Sequence, residues 1–320
     1  MRSLIRCFAV VAVVFAATFA HAQEKLRVAY NQWAGFSHVF VAQDKGFFKE
    51  AGVEVELVPF PGPGDSLAPL VAGHLDVSLT TPDNVILLNA TTDAAIGVVY
   101  MIDTSDGADA VVAKAGIEKA ADLKGKTIAV TLGEVNHLLL LKALQSAGLT
   151  EDDVTLVNMN PDEAGAALVA GSVDAGVTWE PWVSKAVEAG GKAIFTSKDA
   201  PNILLDVVAV SKATREAKPA AIKALITGLD RGLAFMKDKP EEAHAIAAKW
   251  LEVEPADVGA MLDGVKLYTL ADNAPLLGTA DAPGGIVEPL TAIASFMKAK
   301  GKIEKEPDVK AMVDPSLIGK

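Results

Sequence analysis

LVAGHLDVSLT, residues 70–80, returns 98 residues later as LVAGSVDAGVT, residues 168–178, with six identical positions. Each copy is typical of a helix end, a tight glycine turn and a short apolar strand that ends in threonine. The flanks repeat in the same order, because an apolar strand (residues 26–30 and 127–131), a loop with one histidine, an apolar helix and an Ala-Gly stop precede each copy. The chain therefore carries two similar βαβ units, and we expect two lobes that face each other across a cleft.

The first 22 residues have the pattern of a secretion signal. Arg2 and Arg6 precede an apolar run at residues 8–20, and Ala20-His21-Ala22 offers a cleavage site of the small-x-small type. The apolar run is shorter than the roughly 20 residues that a membrane-spanning helix needs. We expect residues 1–22 to be removed and the mature protein to reside in the periplasm.

The composition of the remaining chain excludes several classes of protein. After residue 22 there are 298 residues, no cysteine and a formal charge of −14. A disulfide framework is excluded, and the chain is long enough to be stabilised by apolar cores. The negative charge argues against nucleic acid or an anionic membrane as a partner.

The order of elements predicts an α/β fold. Strands alternate with helices over residues 25–210, which favours mostly parallel sheets. The short polar segment 103–107 is interpreted as a flexible crossover, and an apolar strand from Leu204 returns the chain to the first lobe. We assign residues 23–103 with 204–320 to lobe I and residues 104–203 to lobe II. Two crossing segments make a hinge, and a hinge implies closure on a ligand.

Candidate ligand contacts lie where strands end and helices begin, because open α/β sheets bind ligands beyond the carboxyl ends of their strands. Applying this rule to the loops of both units, which include residues 31–38 and 133–137, selects polar and aromatic side chains. They are Trp33, Ser37, Thr81, Asp83, Asp103, Asp109, Glu134, Asn136, Trp179, Glu180 and Asp206.

The chemistry of this set suits a cationic group. Carboxylates dominate it, and none of the three arginines after residue 22 lies in a cleft loop. The indole rings of Trp33 and Trp179 can form apolar walls and attract a cation, or can instead pack as core between the lobes. An acidic end of the ligand would rely on the helix starts near Ser37 and Asn136.

The acidic residues also have a structural interpretation, since an aspartate such as Asp83 is commonly a helix cap or turn former. Asp103 and Glu180 are the stronger ligand candidates, because neither opens a helix by its pattern.

Catalytic motifs are missing from the sequence. His38, His74, His137 and His244 lack the spacing of a metal site, and no nucleophile elbow or phosphate-binding loop is present. Asp103 with Asp109 has the composition of an acid/base pair, a pattern that arises by chance in so acidic a chain. We expect no enzymatic activity, no metal and no cofactor.

Four stretches carry a resemblance to a known family. They are AQDKGFF (42–48), LVAGHLD (70–76), ADLKGK (121–126) and VTWEPW (177–182). With them, the chain resembles ABC-transporter periplasmic solute-binding proteins of the nitrate, taurine and aliphatic-sulfonate type over essentially its whole mature length. The resemblance implies a type II periplasmic-binding-protein fold with two hinged lobes, a monomer, and one small-molecule ligand delivered to an inner-membrane ABC permease.

Residues and resemblance together predict a periplasmic solute-binding protein. Its expected ligand is a small nitrogen- or sulfur-containing solute, amine-bearing or zwitterionic and taurine-like. One alternative is a binder of an anionic ligand such as an aliphatic sulfonate or nitrate. The carboxylates at Asp103, Asp109 and Glu180, with no cleft arginine, count against a simple inorganic anion. The other is an enzyme of pyrimidine or thiamine-precursor metabolism on the same fold, against which the secretion signal and the lack of a catalytic set count.

Overall fold

The computed structural model describes residues 23–279 and 281–318, so the expected secretion signal lies outside the described residues. Within these ranges the strands are β1 (Glu24–Tyr30), β2 (Val53–Pro59), β3 (Val77–Thr80), β4 (Gly97–Ser105), β5 (Asp109–Ala113), β6 (Thr127–Val130), β7 (Thr155–Asn158), β8 (Ala175–Trp179), β9 (Lys192–Thr196), β10 (Leu205–Val210) and β11 (Val265–Leu267).

The helices of the same ranges are α1 (Ser37–Asp44), α2 (Phe47–Ala51), α3 (Leu67–Val71), α4 (Pro82–Thr91), α5 (Val135–Ser146), α6 (Pro161–Val169), α7 (Trp182–Glu188), α8 (Lys212–Ala217), α9 (Pro219–Asp238), α10 (Pro240–Leu251), α11 (Pro255–Leu262), α12 (Leu270–Leu277) and α13 (Val287–Ala299). No helix among the described residues has both the length and the apolarity to cross a membrane.

Two separate sheets form the centres of two lobes. The lobe I sheet has the strand order β11-β4-β10-β3-β1-β2, and the lobe II sheet has the order β7-β6-β8-β5-β9. β1 pairs in parallel with β2 and β3, and β6 pairs in parallel with β7 and β8. The expectation of mostly parallel sheets is wrong, because β10, β11 and β5 pair antiparallel with their neighbours. Of these strands, β5 and β10 are the ones that enter a sheet from the other lobe.

The duplicated sequence forms the same structure in each lobe. α3 and α6 end shortly before Gly73 and Gly171, and both glycines have φ of +73°. That left-handed conformation disfavours a side chain and explains the glycine in each copy. β3 and β8 follow, and each has the first strand of its own βαβ unit, β1 or β6, as a neighbour. The repeat therefore places Thr80 and Thr178 at the same edge of their sheets.

The chain passes between the lobes twice, once from β4 to β5 and once from β9 to β10. The two passages are hydrogen-bonded to each other, since the Ser105 and Ser197 hydroxyls lie 2.8 Å apart and Ser197 Oγ accepts from the Gly107 N–H at 2.6 Å. The predicted flexible crossover at 103–107 is mostly strand, because residues 103–105 pair with β10 on one side and β11 on the other. Backbone pairing here overrides the low strand preference of these polar side chains.

The helices after residue 211 cover lobe I. α9 packs on α1 and α2, α10 packs on α1 and α9, and α13 packs on α4. Their apolar faces bury Leu225, Leu229 and Leu233 of α9 together with Leu251 and Leu290. These contacts fix α1 and α4, whose N-termini point toward the boundary between the lobes.

Candidate ligand-binding site between the lobes

A small cavity lies at the boundary of the two lobes, beside the carboxyl ends of their central strands. Its volume is about 10 Å³, which is room for about one water molecule. Residues from both lobes line it: Asn31, Trp33, Pro63, Thr81, Asp109, Asn136, Trp179, Leu204 and Asp206. A larger molecule would fit only if the lobes moved apart.

Two tryptophans, one from each lobe, meet at the cavity. The Trp33 and Trp179 rings are 6.4 Å apart between centroids and inclined at 61°, an edge-to-face contact. Trp33 Nε1 donates to Asp103 Oδ2 at 3.1 Å, and Trp179 Nε1 donates to Asp162 Oδ1 at 2.9 Å. Each indole N–H is therefore used within its own lobe.

Asp103 lies behind Trp33 and is fully buried. A Cβ on Gly35 would lie 2.3 Å from Asp103 Oδ2 and 2.2 Å from Trp33 Nε1, so only glycine fits there. Asp103 stands opposite Asp206 in the β4–β10 pairing, and the Asp103 carboxyl group adds to the rise in the pKa of Asp206. Burial raises the pKa of Asp103 to about 7 and the pKa of Asp206 well above its usual range.

Asp109 is the second carboxyl group of the cavity wall. Its Oδ1 accepts from Asn136 Nδ2 at 3.3 Å, and its backbone N–H donates to Ser105 Oγ at 3.0 Å. Burial raises its pKa to about 7, and the nearby Glu180 carboxylate adds to the effect. Asp109 is thus held in place by neutral groups that do not cancel its charge.

Within the described ranges, no cation compensates these carboxyl groups in the cavity wall, since its lining residues include neither lysine nor arginine. The arginines of the described chain are engaged elsewhere: Arg27 lies beside Glu56, Arg215 pairs with Asp314, and Arg231 pairs with Glu50. A buried carboxylate without a partner is costly, so each of these groups either holds a proton or receives a cation.

Of the predicted site residues, the cavity brings together Trp33, Thr81, Asp109, Asn136, Trp179 and Asp206. Ser37, Asp83, Asp103, Glu134 and Glu180 do not line it. Ser37 Oγ donates to the Ala34 carbonyl at 2.6 Å and so serves the start of its own helix.

Glu180 lies at the start of a helix, which corrects the reason for selecting it. Its carboxylate accepts from the Ser184 backbone N–H at 3.0 Å and from Ser184 Oγ at 2.9 Å, and α7 begins two residues after it. Burial raises its pKa, while the bonds from Ser184 oppose that rise. Glu180 stands two residues before the first residue of α7, and this spacing is typical of a side chain that caps a helix start.

Asp83 and Glu134 meet beside the cavity at the start of α5. Asp83 Oδ2 accepts from the Val135 N–H at 3.2 Å, which joins α4 of lobe I to α5 of lobe II. Burial and the Asp83 charge raise the pKa of Glu134 to about 8, against the opposing effect of Lys302.

Three lining residues and one supporting residue were not selected from the sequence. Asn31 lies in the predicted loop after β1, and the strand-end rule covers it. Pro63 and Leu204 carry no polar signal. Asp162, which holds Trp179, follows the proline at the start of α6, where an acidic residue is an ordinary helix feature.

Comparison with known proteins places the chain among binding proteins. A model of the family described as NMT1/THI5 like matches residues 33–243. The taurine-binding periplasmic protein of Escherichia coli is 28% identical over 287 residues, which are 86% of this chain and 87% of that protein.

Solved structures share the fold. The periplasmic aliphatic sulphonate binding protein of Escherichia coli matches with a TM-score of 0.74 and 22% identity, over 91% of this chain and 92% of that one. A desulfurization enzyme matches with a TM-score of 0.68 and 16% identity, over 92% and 97%. The expected two-lobed α/β fold of periplasmic binding proteins is confirmed, and the same architecture occurs in an enzyme.

Proposed function

This chain belongs to the NMT1/THI5-like family, and on that premise we propose that it is the solute-binding protein of an ABC importer. It works in the periplasm, captures one small solute between its lobes and delivers it to an inner-membrane permease. The taurine-binding relative, aligned over most of both chains, supports this role. So does the position of the cavity, at the strand ends where α/β folds bind ligands.

The observation that carries the choice of ligand is the pair of uncompensated carboxyl groups in the cavity wall. Asp109 and Asp206 line the cavity without a lysine or arginine beside them. An ammonium group would neutralise them and gain about 1.5–3 kcal/mol for each charged hydrogen bond. The faces of Trp33 and Trp179 would add roughly 0.5–2 kcal/mol each through cation–π contact. We therefore propose a small amine-bearing or zwitterionic solute, taurine-like in size.

Binding without chemistry is the function that these side chains favour. The likeness to a desulfurization enzyme shows that the fold admits catalysis. In this chain the only cysteine is Cys7, and neither His38 nor His137 belongs to the cavity wall. The wall therefore offers no thiolate or imidazole to act on a bound solute.

Ligand capture requires the lobes to open, because the cavity has room for about one water molecule. The two hydrogen-bonded passages beside Ser105 and Ser197 are the proposed hinge. X-ray scattering of the protein without and with a saturating ligand should show a smaller radius of gyration in the bound form. An unchanged profile at saturation would remove the hinge from the proposal.

Calorimetry on the mature protein tests the ligand class with molecules of matched size. Ethylamine, taurine, ethanesulfonate and nitrate are compared, and the amine-bearing compounds should bind more tightly. Asp109→Asn should weaken amine binding by about tenfold or more, since it removes a charged hydrogen bond. Asp93→Asn makes the same charge change at an exposed position after α4 and should have no effect. A wild-type preference for ethanesulfonate or nitrate would contradict the proposal.

Export is tested by the intact mass of protein recovered from the periplasm. The mass should correspond to residues 23–320, because Ala20-His21-Ala22 offers the cleavage site. A mass that retains Met1 would show that the signal is not cleaved as expected.

A further inference from the structure

Two helix starts near the cavity are already covered by the protein's own carboxylates. At α5 the Asp83 carboxylate accepts from the Val135 N–H, and at α7 the Glu180 carboxylate accepts from the Ser184 N–H. These are the positions where an anionic part of a ligand would otherwise be stabilised.

Asp83 is the member of this set that joins the lobes. It belongs to α4 of lobe I, and its bond to Val135 reaches the 12-residue α5 of lobe II. The side chain is 1% exposed, and its Oδ1 has no hydrogen-bond partner within the described part of the chain. Asp83 is therefore a nearly buried acid with spare accepting capacity at a helix N-terminus. Burial raises its pKa, whereas the bond from the Val135 N–H opposes that rise and favours the carboxylate.

Asp83 lies close to the ligand cavity, because lining residues are found both near it in α4 and near its partner Val135 in α5. Thr81, two residues before it, lines the cavity, and so does Asn136, the residue after its partner Val135. A ligand group at the start of α5 would therefore have to approach the same backbone N–H that Asp83 occupies. Glu134, whose carboxyl group lies beside Asp83, precedes Val135 and adds a second acid at this helix start.

The Asp83 carboxylate at the start of α5 affects anionic and cationic ligand groups differently. The N-terminus of a helix attracts anions through its free N–H groups and the helix dipole. A carboxylate already bound there uses an N–H and offsets the positive potential, so a sulfonate meets repulsion where it would otherwise be held. An ammonium group at Asp109 and Asp206 does not encounter this obstacle.

We propose that Asp83 is a specificity-determining residue that acts as a built-in anion at the start of α5. The preferred solute is then a small cation with no sulfonate or carboxylate end. This inference rests on the proposed solute-binding function and narrows its ligand class from amine-bearing or zwitterionic to cationic.

The test compares three two-carbon probes by calorimetry: ethylamine as the cation, taurine as the zwitterion and ethanesulfonate as the anion. Wild type should bind ethylamine most tightly and ethanesulfonate most weakly. Asp83→Asn keeps an oxygen that can accept from Val135 but removes the charge. It should gain about tenfold in affinity for ethanesulfonate and for taurine relative to ethylamine. Asp93→Asn, the exposed control, should leave all three affinities unchanged.

Circular dichroism and thermal melting establish that the variants are folded, and Asp83→Ser supplies a second neutral side chain if Asn unfolds the protein. A helix cap with a structural role alone would change stability without changing the order of the three probes. The inference is overturned if a folded neutral variant binds ethanesulfonate with the same affinity as wild type. It is equally overturned if neither the wild type nor that variant binds ethanesulfonate measurably. It is also overturned if wild type binds taurine more tightly than ethylamine. Failure of every amine to bind wild type would instead contradict the proposed function.

Discussion

Asp76 and Asp174 make the same hydrogen bond in the two lobes. Asp76 Oδ2 accepts from the backbone N–H of Arg27 at 2.9 Å, and Asp174 Oδ2 accepts from the backbone N–H of Thr127 at 2.8 Å. Each aspartate thereby ties the turn of the repeat to the first strand of its βαβ unit, β1 or β6. The aspartate that both copies of the sequence retain thus has a structural role far from the cavity.

Replacing either aspartate by alanine should destabilise its lobe. Asp76→Ala and Asp174→Ala each remove a charged hydrogen bond to the backbone, so each should lower the free energy of unfolding by about 1.5–3 kcal/mol. Urea denaturation measures the change, and Asp93→Ala at an exposed position serves as the control. Loss of ligand affinity with unchanged stability would show that the two residues belong to the binding site after all.

Affinity for an amine should rise with pH. Desolvation raises the pKa values of Asp103 and Asp109 to about 7 and the pKa of Asp206 well above its usual range. A cation prefers the ionised carboxylates, so binding releases protons and strengthens from about pH 6 to about pH 8. Calorimetry with ethylamine in two buffers of different ionisation enthalpy counts the released protons. Equal affinity across this range would mean that these carboxyl groups do not meet the ligand.

Asp109 should contribute to binding at the expense of stability. Its folded pKa of about 7 exceeds its usual value of 3.8, so its favourable contribution is complete at low pH and is lost as pH rises toward 7. Asp109→Asn should therefore be more stable than wild type at about pH 8, by about 2–4 kcal/mol, and nearly equal to it at about pH 4. Urea denaturation at both pH values measures this. A stability difference that is the same at both would contradict the raised pKa.

The Trp33 wall depends on Gly35. Alanine there would place its Cβ within 2.3 Å of both the Trp33 indole nitrogen and Asp103 Oδ2, and the ring would have to move. Gly35→Ala should weaken ligand binding by about tenfold or more through loss of the oriented indole. Gly62→Ala is the matched control, because its Cβ would lie 3.4 Å or more from its neighbours. Binding that survives in Gly35→Ala would indicate that Trp33 does not contact the ligand.

The duplicated sequence predicted the fold well because its signals are local. The glycine turns, the strands that end in Thr80 and Thr178, and the proline-led α9 and α10 all follow from spacing within a few residues. The segment starting at Asp103 was misjudged because strand neighbours on both sides, β10 and β11, are distant in sequence. The polar side chains of this segment predicted a loop, whereas its backbone pairing with β10 and β11 makes it a strand.

The site was predicted only in part for a similar reason. The strand-end rule found the loop that supplies Trp33, and the predicted passages between the lobes pointed to Asp109 and Asp206, since both depend only on the order of elements. Which carboxyl groups face the cavity and which cover helix starts depends on how the lobes meet. Asp83 and Val135 are 52 residues apart, and no local pattern specifies their contact.

If the hydrogen-bonded passages at Ser105 and Ser197 act as the proposed hinge, their position sets the order of events in ligand capture. Asp109 is bonded to Ser105, and Asp206 follows the second passage directly, so both acids lie next to the axis of the proposed hinge. Groups near an axis of rotation move little, whereas the Trp33–Trp179 and Asp83–Val135 contacts join one lobe to the other and separate as the lobes part. In the proposed mechanism, an open molecule would still hold Asp109 and Asp206 close together. The charge of the solute would then be recognised first, and its shape only as Trp33 and Trp179 close over it.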